Sequence, residues 1–374
     1  MIDFIIWNSS PEIFSIGPFA LRWYGLLFAL GFLVTQQILY YIHKKEGKPD
    51  RDVDTLTIYM AIATILGARL GHVIFYQPEI IWESPWSIFL PFEFHPFRFT
   101  GLQGLASHGG AIGILFALWL YSRKKKPGQN YLQVLDRIVI LVCLVGAFIR
   151  LGNFFNSEII GKPSNNPFSV VFVNRVSEAI MRDPNGKNPV AFMEIKKAGL
   201  PAGENGRVPI DILLLFKKDI TEQQAISYSM NDARYYLNQL NEFVDEPFAH
   251  PLQFNVIKEQ DGTYAARIRT LGIARHPAQL YESISCLILF VFLFWYWSRY
   301  KINLPEGRIF GMFMILLWSL RFAYEFLKEN QVPFEDKLPL NMGQILSIPL
   351  VLVGVFILIR SYKQSPANDL PNVN

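Results

Sequence analysis

Arg150, Asn153, Asn156 and Glu158 stand within nine residues of one another in DRIVILVCLVGAFIRLGNFFNSEIIGK, Asp136 to Lys162. The residues before them are apolar and long enough to cross a bilayer, so the polar set closes a membrane span. Hydrocarbon tolerates few such groups, because an ionisable side chain at the bilayer centre costs at least ~2.5–3.5 kcal/mol. A guanidinium, two amides and a carboxylate in this position predict a polar site built into the membrane. At helical spacing Arg150, Asn153 and Ser157 recur at three and four residues and share one face.

The chain that must position them is 51% hydrophobic and 18% charged, with 31 Phe and 8 Trp. That composition expects lipid as well as a core. The net charge of +4 is modest, and basic residues gather in short loops at His43 to Arg51, Arg123 to Lys126 and Arg299 to Arg308. This is the positive-inside pattern and not a nucleic-acid patch. Seven apolar segments can be drawn, at about 18–42, 55–77, 103–121, 135–155, 277–298, 307–327 and 344–361. Alternating them places the basic loops and the tail on the cytoplasmic side and the amino terminus outside. The amino terminus has neither a cationic start nor a small-residue cleavage site, so it reads as retained. The expected fold is an all-α polytopic membrane protein of seven transmembrane helices with an inserted extracytoplasmic α+β head. Residues 1–162 carry spans 1–4 with an aromatic interfacial arm at 78–102, residues 163–274 form the head, and residues 275–374 carry spans 5–7 and a cytoplasmic tail.

Within the head, Val208 to Phe216 reads as a buried strand. Thr221 with Gln224 makes a capping box that opens a helix running to about Val244. Phe254 to Ile257 and Tyr264 to Ile268 flank Asp261-Gly262, a hairpin signal. Nothing in the head has catalytic spacing.

Loop charge alone sets the topology, so the depth of each polar residue is an independent question. Tyr24, Arg69, His72, His108, Arg150, Asn153, Glu158, Arg275, Gln279, Arg321, Glu325, Asn341 and Gln344 all fall in the outer part of the membrane. Each also has an ordinary reading. Arg321 and Glu325, four apart, could neutralise each other, Arg69 could snorkel to headgroups, and His108 could be a hydrogen-bonded structural histidine. Asp136 suits the helix dipole at the cytoplasmic start of its span. Gly67, Gly71, Gly104, Gly109, Gly110 and Gly113 let helices pack backbone to backbone, or let a headgroup reach main chain. Cys143 and Cys286 read as small apolar residues or as an interhelical disulfide, with no metal-ligand spacing.

Several arginines with no matching excess of acids suit a phosphate held by bidentate donors. At that depth the abundant phosphates are phospholipid headgroups. A nearby imidazole can accept a proton at working pH. The chain lacks G-x-S-x-G and H-E-x-x-H, and Ser107 beside His108 cannot form a dyad. The attacking group then comes from a substrate. A transporter would carry polar residues through the full depth or paired broken helices, and an intramembrane protease would need a Ser/His, paired Asp or metal constellation.

These segments resemble the prolipoprotein diacylglyceryl transferases of bacteria over nearly every span. The blocks are LRWYGL (Leu21–Leu26), GARLGHVIFY (Gly67–Tyr76), SHGGAIG (Ser107–Gly113), RLGNFFNSEIIGK (Arg150–Lys162), RHPAQLYE (Arg275–Glu282), RFAYEFLK (Arg321–Lys328) and NMGQILS (Asn341–Ser347). The resemblance implies transfer of a diacylglyceryl group from phosphatidylglycerol to the lipobox cysteine of a prolipoprotein, releasing glycerol 1-phosphate. It implies His108 as base for the thiol and Arg150 and Arg321 as phosphate holders. Tyr24, Asn153, Glu158, Gly161 and Glu325 match positions that shape the site. Arg69, Arg275, Gln279 and Gln344 join them as substrate-binding candidates. No metal or cofactor is expected, and the partners are phosphatidylglycerol, the lipobox segment and membrane lipids, for a monomer in the bacterial inner membrane. Ile149 replaces the family's glycine before the signature arginine, Lys162 replaces its closing arginine, and Leu317 with Trp318 stands where a tyrosine is usual. The head is longer than the family's, so about 176–270 gains nothing from the resemblance.

Overall fold

The computed structural model describes residues 4–16, 19–90, 92–94, 97–99, 104, 106–182, 187–247, 249–329 and 338–363. The chain opens with strands β1 (Ile5–Trp7), β2 (Glu12–Ile16) and β3 (Phe19–Arg22), followed by helices α1 (Trp23–Lys45) and α2 (Asp50–Tyr76). Short α3 (Ile80–Glu83) and a 3-10 turn over Pro85–Ile88 lead to β4 (Phe92–Phe94) and β5 (Phe97–Phe99), then α4 (Ser107–Ser122) and α5 (Tyr131–Phe155). Next come β6 (Val170–Phe172), α6 (Asn174–Met181), β7 (Val190–Lys197), β8 (Arg207–Phe216), α7 (Glu222–Tyr228) and α8 (Arg234–Gln239). Strands β9 (Val244–Asp245), β10 (Gln253–Lys258) and β11 (Tyr264–Arg275) precede α9 (Ala278–Tyr300), α10 (Arg308–Tyr324) and α11 (Met342–Tyr362).

Among the described residues, six helices are long and apolar enough to cross a membrane: α1, α2, α5, α9, α10 with the 3-10 turn that carries it to Leu327, and α11. The third expected span is the exception, because α4 has 16 residues. At 1.5 Å per residue it reaches about 24 Å, short of the ~30 Å hydrocarbon core. Its start is held back because Gly104 takes a left-handed backbone (φ +74°) and the Ala106 amide donates to the Ala68 carbonyl. Part of the expected arm at 78–102 lies outside the described residues.

Two compact units divide the chain: residues 1–30, 146–285 and 320–346, and residues 31–145, 286–319 and 347–374. The second unit is helical at its core. Leu39, Ile42, Leu56, Leu118, Ile140, Leu293 and Trp297 are fully buried there. Helices α2 and α4 cross with main chain against main chain, so a Cβ on Gly67 would lie 2.5 Å from the Gly109 carbonyl oxygen. The small residues therefore serve helix packing, as their spacing predicts. Asp136 also proves structural, but for a different helix than expected. Its carboxylate accepts the amides of Gly307 (2.7 Å) and Phe310 (2.8 Å), which caps α10. Cys143 and Cys286 are free thiols.

The first unit holds a seven-stranded sheet, ordered β1-β6-β11-β8-β7, with β9 and β10 also pairing β11. An all-α description therefore holds only for the membrane helices. Strand β1, from the amino-terminal residues, joins parallel to β6, with Ile5 opposite Val170. Strand β8 alternates as its sequence predicts. Val208, Ile210, Ile212, Leu214 and Phe216 are buried against a core shared with Val176, Ile180, Ala225 and Leu237. On the other face, Asp211 is held by Arg267 (Nε to Oδ2 2.9 Å) and Arg269 (Nε to Oδ1 2.9 Å). These guanidiniums outweigh burial, which works the other way, and hold the Asp211 carboxyl below the usual range. The Thr221–Gln224 capping box is present, and the Asp261-Gly262 turn joins β10 to β11. The helix expected to reach Val244 instead ends at Gln239, after a π-helical stretch over Ser229–Ala233. Val244 leaves it to pair with Gly272 in the sheet, where it is fully buried.

Candidate functional site

The first unit gathers the polar residues of the signature. The last two turns of α5 carry Arg150 and Asn153, and the chain turns directly after them through Ser157 and Ile159, both with positive φ. That turn folds Glu158 back. Its carboxylate accepts from Asn153 Nδ2 and Asn156 Nδ2, both at 3.3 Å, and faces Arg175 at 3.6 Å. Gln279, in the first turn of α9, donates to the Glu158 carbonyl at 2.6 Å. Tyr24 opens α1 and packs on Gly152, where a Cβ would lie 2.9 Å from the phenol ring.

Arg150 and Arg321 are the candidate phosphate holders, and each meets a carboxylate. Arg150 Nε lies 2.6 Å from Glu282 Oε2. Arg321 lies 3.6 Å from Glu325 Oε1, as their spacing on one helix allows. Both carboxylates also meet Lys328, whose Nζ pairs with Glu282 Oε1 and lies 3.3 Å from Glu325 Oε1. Five side chains of alternating sign thus run Arg150, Glu282, Lys328, Glu325, Arg321. Glu282 and Lys328 were absent from the candidate set, although both lie in the blocks RHPAQLYE and RFAYEFLK. The available signal was that each is an ionisable group beside a membrane span.

Gly161 and Arg275 hold this arrangement to the sheet. Gly161 donates its amide to the His276 carbonyl and bridges Lys328, while Lys162 donates to the Leu327 carbonyl at 2.7 Å. A Cβ on Gly161 would stand 2.4 Å from the His276 carbonyl oxygen and 3.0 Å from that of Leu327, so glycine is required there. Arg275 gives Nε and Nη2 to the Glu242 carbonyl and Nη1 to the Gly161 carbonyl and to Glu329. Its buried guanidinium is a clamp on main chain. Burial lowers the pKa of neighbouring His276.

Asn341 and Gln344 form a reciprocal cap at the start of α11. Gln344 Oε1 accepts the Asn341 amide at 3.1 Å, and Asn341 Oδ1 accepts that of Gln344 at 2.9 Å. Asn341 Nδ2 also reaches Glu325 Oε2 at 3.2 Å. Among the described residues, buried Gln279 Oε1 and Gln344 Nε2 have no hydrogen-bond partner. Such orphans are rare and ask for a ligand or water.

Arg69 and His108 belong to the second unit. Arg69 is buried and does not snorkel. It donates to the carbonyls of Ser87 (2.8 Å), Ile88 (3.2 Å) and Gly104 (3.5 Å), tying α2 to the turn after it. His108, the second residue of α4, is exposed, with the rings of Phe75 and Tyr76 centred 5.0 and 6.0 Å away. Sequence reasoning also passed over a buried cluster in this unit. Glu46 accepts from Arg137 (Nη2 2.8 Å), Lys48 (2.6 Å) and Trp297 (2.7 Å).

Six bilayer-length apolar helices define a multi-pass membrane protein. The family profile described as Prolipoprotein diacylglyceryl transferase matches residues 11–360, and the chain belongs to that family. Three relatives bear the name phosphatidylglycerol–prolipoprotein diacylglyceryl transferase. The protein of Chloroherpeton thalassium is 31% identical over 97% of this chain and 96% of its own. That of Porphyromonas gingivalis is 31% identical over 96% and 95%, and that of Bacteroides fragilis 30% identical over 95% and 94%.

Proposed function

We propose that the protein transfers the diacylglyceryl group of phosphatidylglycerol to the lipobox cysteine of prolipoproteins, the first step of lipoprotein maturation. The bond that forms joins sulfur to the terminal glyceryl carbon. The bond that breaks joins that carbon to the phosphate oxygen, and glycerol 1-phosphate departs with the electron pair. A thiol is mostly protonated at neutral pH, and the thiolate is the nucleophile. His108, exposed at the start of its helix, takes the thiol proton. Arg150 and Arg321 hold the phosphate and stabilise the charge that grows on it. Tyr24, Asn153, Glu158 and Gly161 shape the pocket, and Glu325 orients Arg321. Gln279 and Gln344 present their unpartnered buried atoms to headgroup hydroxyls, while Arg69 and Arg275 act through the main chain they clamp.

In this reading the chain crosses the bacterial inner membrane seven times as a monomer, α4 being the short span. The amino terminus faces outward and the carboxyl terminus inward. Residues 1–162 and 275–374 carry the spans, and 163–274 form the extracytoplasmic head. The observation that carries the reading is the pair of arginines, each against a carboxylate and joined through Lys328, in a chain of this family.

Purified protein in detergent, given phosphatidylglycerol and a lipobox peptide, adds a diacylglyceryl mass to the cysteine. Arg150→Ala and His108→Ala abolish the addition. An unchanged peptide mass with the parent protein, or variants that match the parent, overturns the reading.

A further inference from the structure

We propose that Lys328 is a positioning residue for this transfer, the central link that sets Arg150 and Arg321 through their carboxylates. The inference rests on the activity proposed above and deepens it. Lys328 is 3% exposed, and its ammonium lies between Glu282 and Glu325, whose side chains are each 10% exposed. Arg150 and Arg321, at the ends of the string, are 20% and 39% exposed. Exposure therefore rises from the middle outwards. The lysine is enclosed by protein, and the two arginines are the members open to a ligand.

The charge count gives the middle cation its purpose. Three cations face two carboxylates, leaving one positive charge for the string. Without the ammonium, each carboxylate would answer to its arginine alone, and two like charges would face each other with nothing between them. Each arginine would then be drawn into a full pair with its carboxylate, away from the charge that grows on the phosphate in the transition state. A cation shared by both acids weakens the hold of each carboxylate on its arginine. Arg150 meets Glu282 through Nε, at 2.6 Å.

The backbone explains how Lys328 reaches this place. It follows the 3-10 turn Glu325–Leu327 that ends α10, and Gly161, near the end of the signature, bridges it. A side chain at 161 would strike the His276 and Leu327 carbonyls. The glycine of the signature therefore acts at a distance from the chemistry, by letting two segments close and setting the depth of the lysine.

The test is steady-state kinetics of full-length protein in detergent with phosphatidylglycerol and a lipobox peptide. Lys328→Met is expected to lower kcat about 100-fold, the scale of a misplaced reacting group, with the KM for phosphatidylglycerol within about threefold. Lys328→Arg, which keeps the charge, is expected to recover at least about tenfold of the loss. If Lys328→Met does not accumulate, Glu282→Gln with Lys328→Met removes one charge of each sign and takes its place, with the same low kcat. A parental kcat in Lys328→Met or in the double variant, a loss carried by KM alone, or no recovery in Lys328→Arg overturns the proposal. A parent protein that adds no lipid contradicts the activity itself, so the two failures are distinguishable.

Discussion

Each unit buries a cluster of charges, and the two clusters are built on opposite rules. Around Glu46 the cations Arg137 and Lys48 face the acids Glu46 and Asp136, two against two, and Trp297 adds a neutral donor. All four charged side chains there are at most 8% exposed. Around Lys328 three cations face two acids, and the outer cations are partly open. A closed and balanced cluster holds helices together. An open cluster with a surplus cation is poised for an anion. Burial of charge alone does not separate the two clusters, whereas the balance of charge does.

The largest expected effect removes the surplus at its exposed end. Arg150→Ala is expected to lower kcat about a thousandfold, as losing a donor to developing charge does, while the melting temperature of the purified protein stays near that of the parent. The mirror change is Arg137→Met, which leaves Glu46 buried without its main partner. That costs about 3–5 kcal/mol of stability, read by thermal unfolding in detergent, with kcat per folded molecule unchanged. Should Arg137→Met slow the reaction while leaving stability intact, the contrast between the clusters fails. Gly161→Ala comes next. The added methyl displaces the segment that seats Lys328, for an expected loss of about 100-fold in kcat.

The smallest effect is a pH dependence. Burial works to raise the Glu46 carboxyl pKa, but the charge of Arg137 and then of Lys48 outweighs it and holds the group at about 2 against an ordinary 4.5. A carboxyl lowered by folding stabilises the native state fully above its unfolded value and loses that contribution as pH falls through the folded one. The melting temperature of the parent should therefore decline between about pH 4.5 and 2, and Glu46→Gln should lose part of that slope. An identical slope in Glu46→Gln would show that the cluster does not act as a tight pair.

Period and turn chemistry made much of the fold legible in the sequence. Six of the apolar spans, the alternation of β8, the Thr221 cap and the Asp261-Gly262 turn are all local patterns, and each appears where its spacing puts it, whereas the third span comes out short. The signature also led to Arg150, Asn153 and Glu158: Asn153 donates to Glu158, and Arg150 meets Glu282. Partnership was not legible. Arg69 and Arg275 read like ligand cations, yet both donate to carbonyls of other segments, and Arg275 also meets Glu329. Glu282 and Lys328 passed unnoticed because the string exists only once α5, α9 and the turn after α10 are packed. The helix expected to reach Val244 stopped short for a similar reason. Its local propensity yielded to a strand pairing across the sheet.

The most direct measurement follows both products of one turnover. Phosphatidylglycerol labelled in its headgroup is mixed with excess protein and a lipobox peptide, and released glycerol phosphate is counted against thioether formed. The account predicts equal amounts of the two, and no headgroup release when the cysteine is replaced by serine. Headgroup release without a thiol, or thioether without glycerol phosphate, would contradict it.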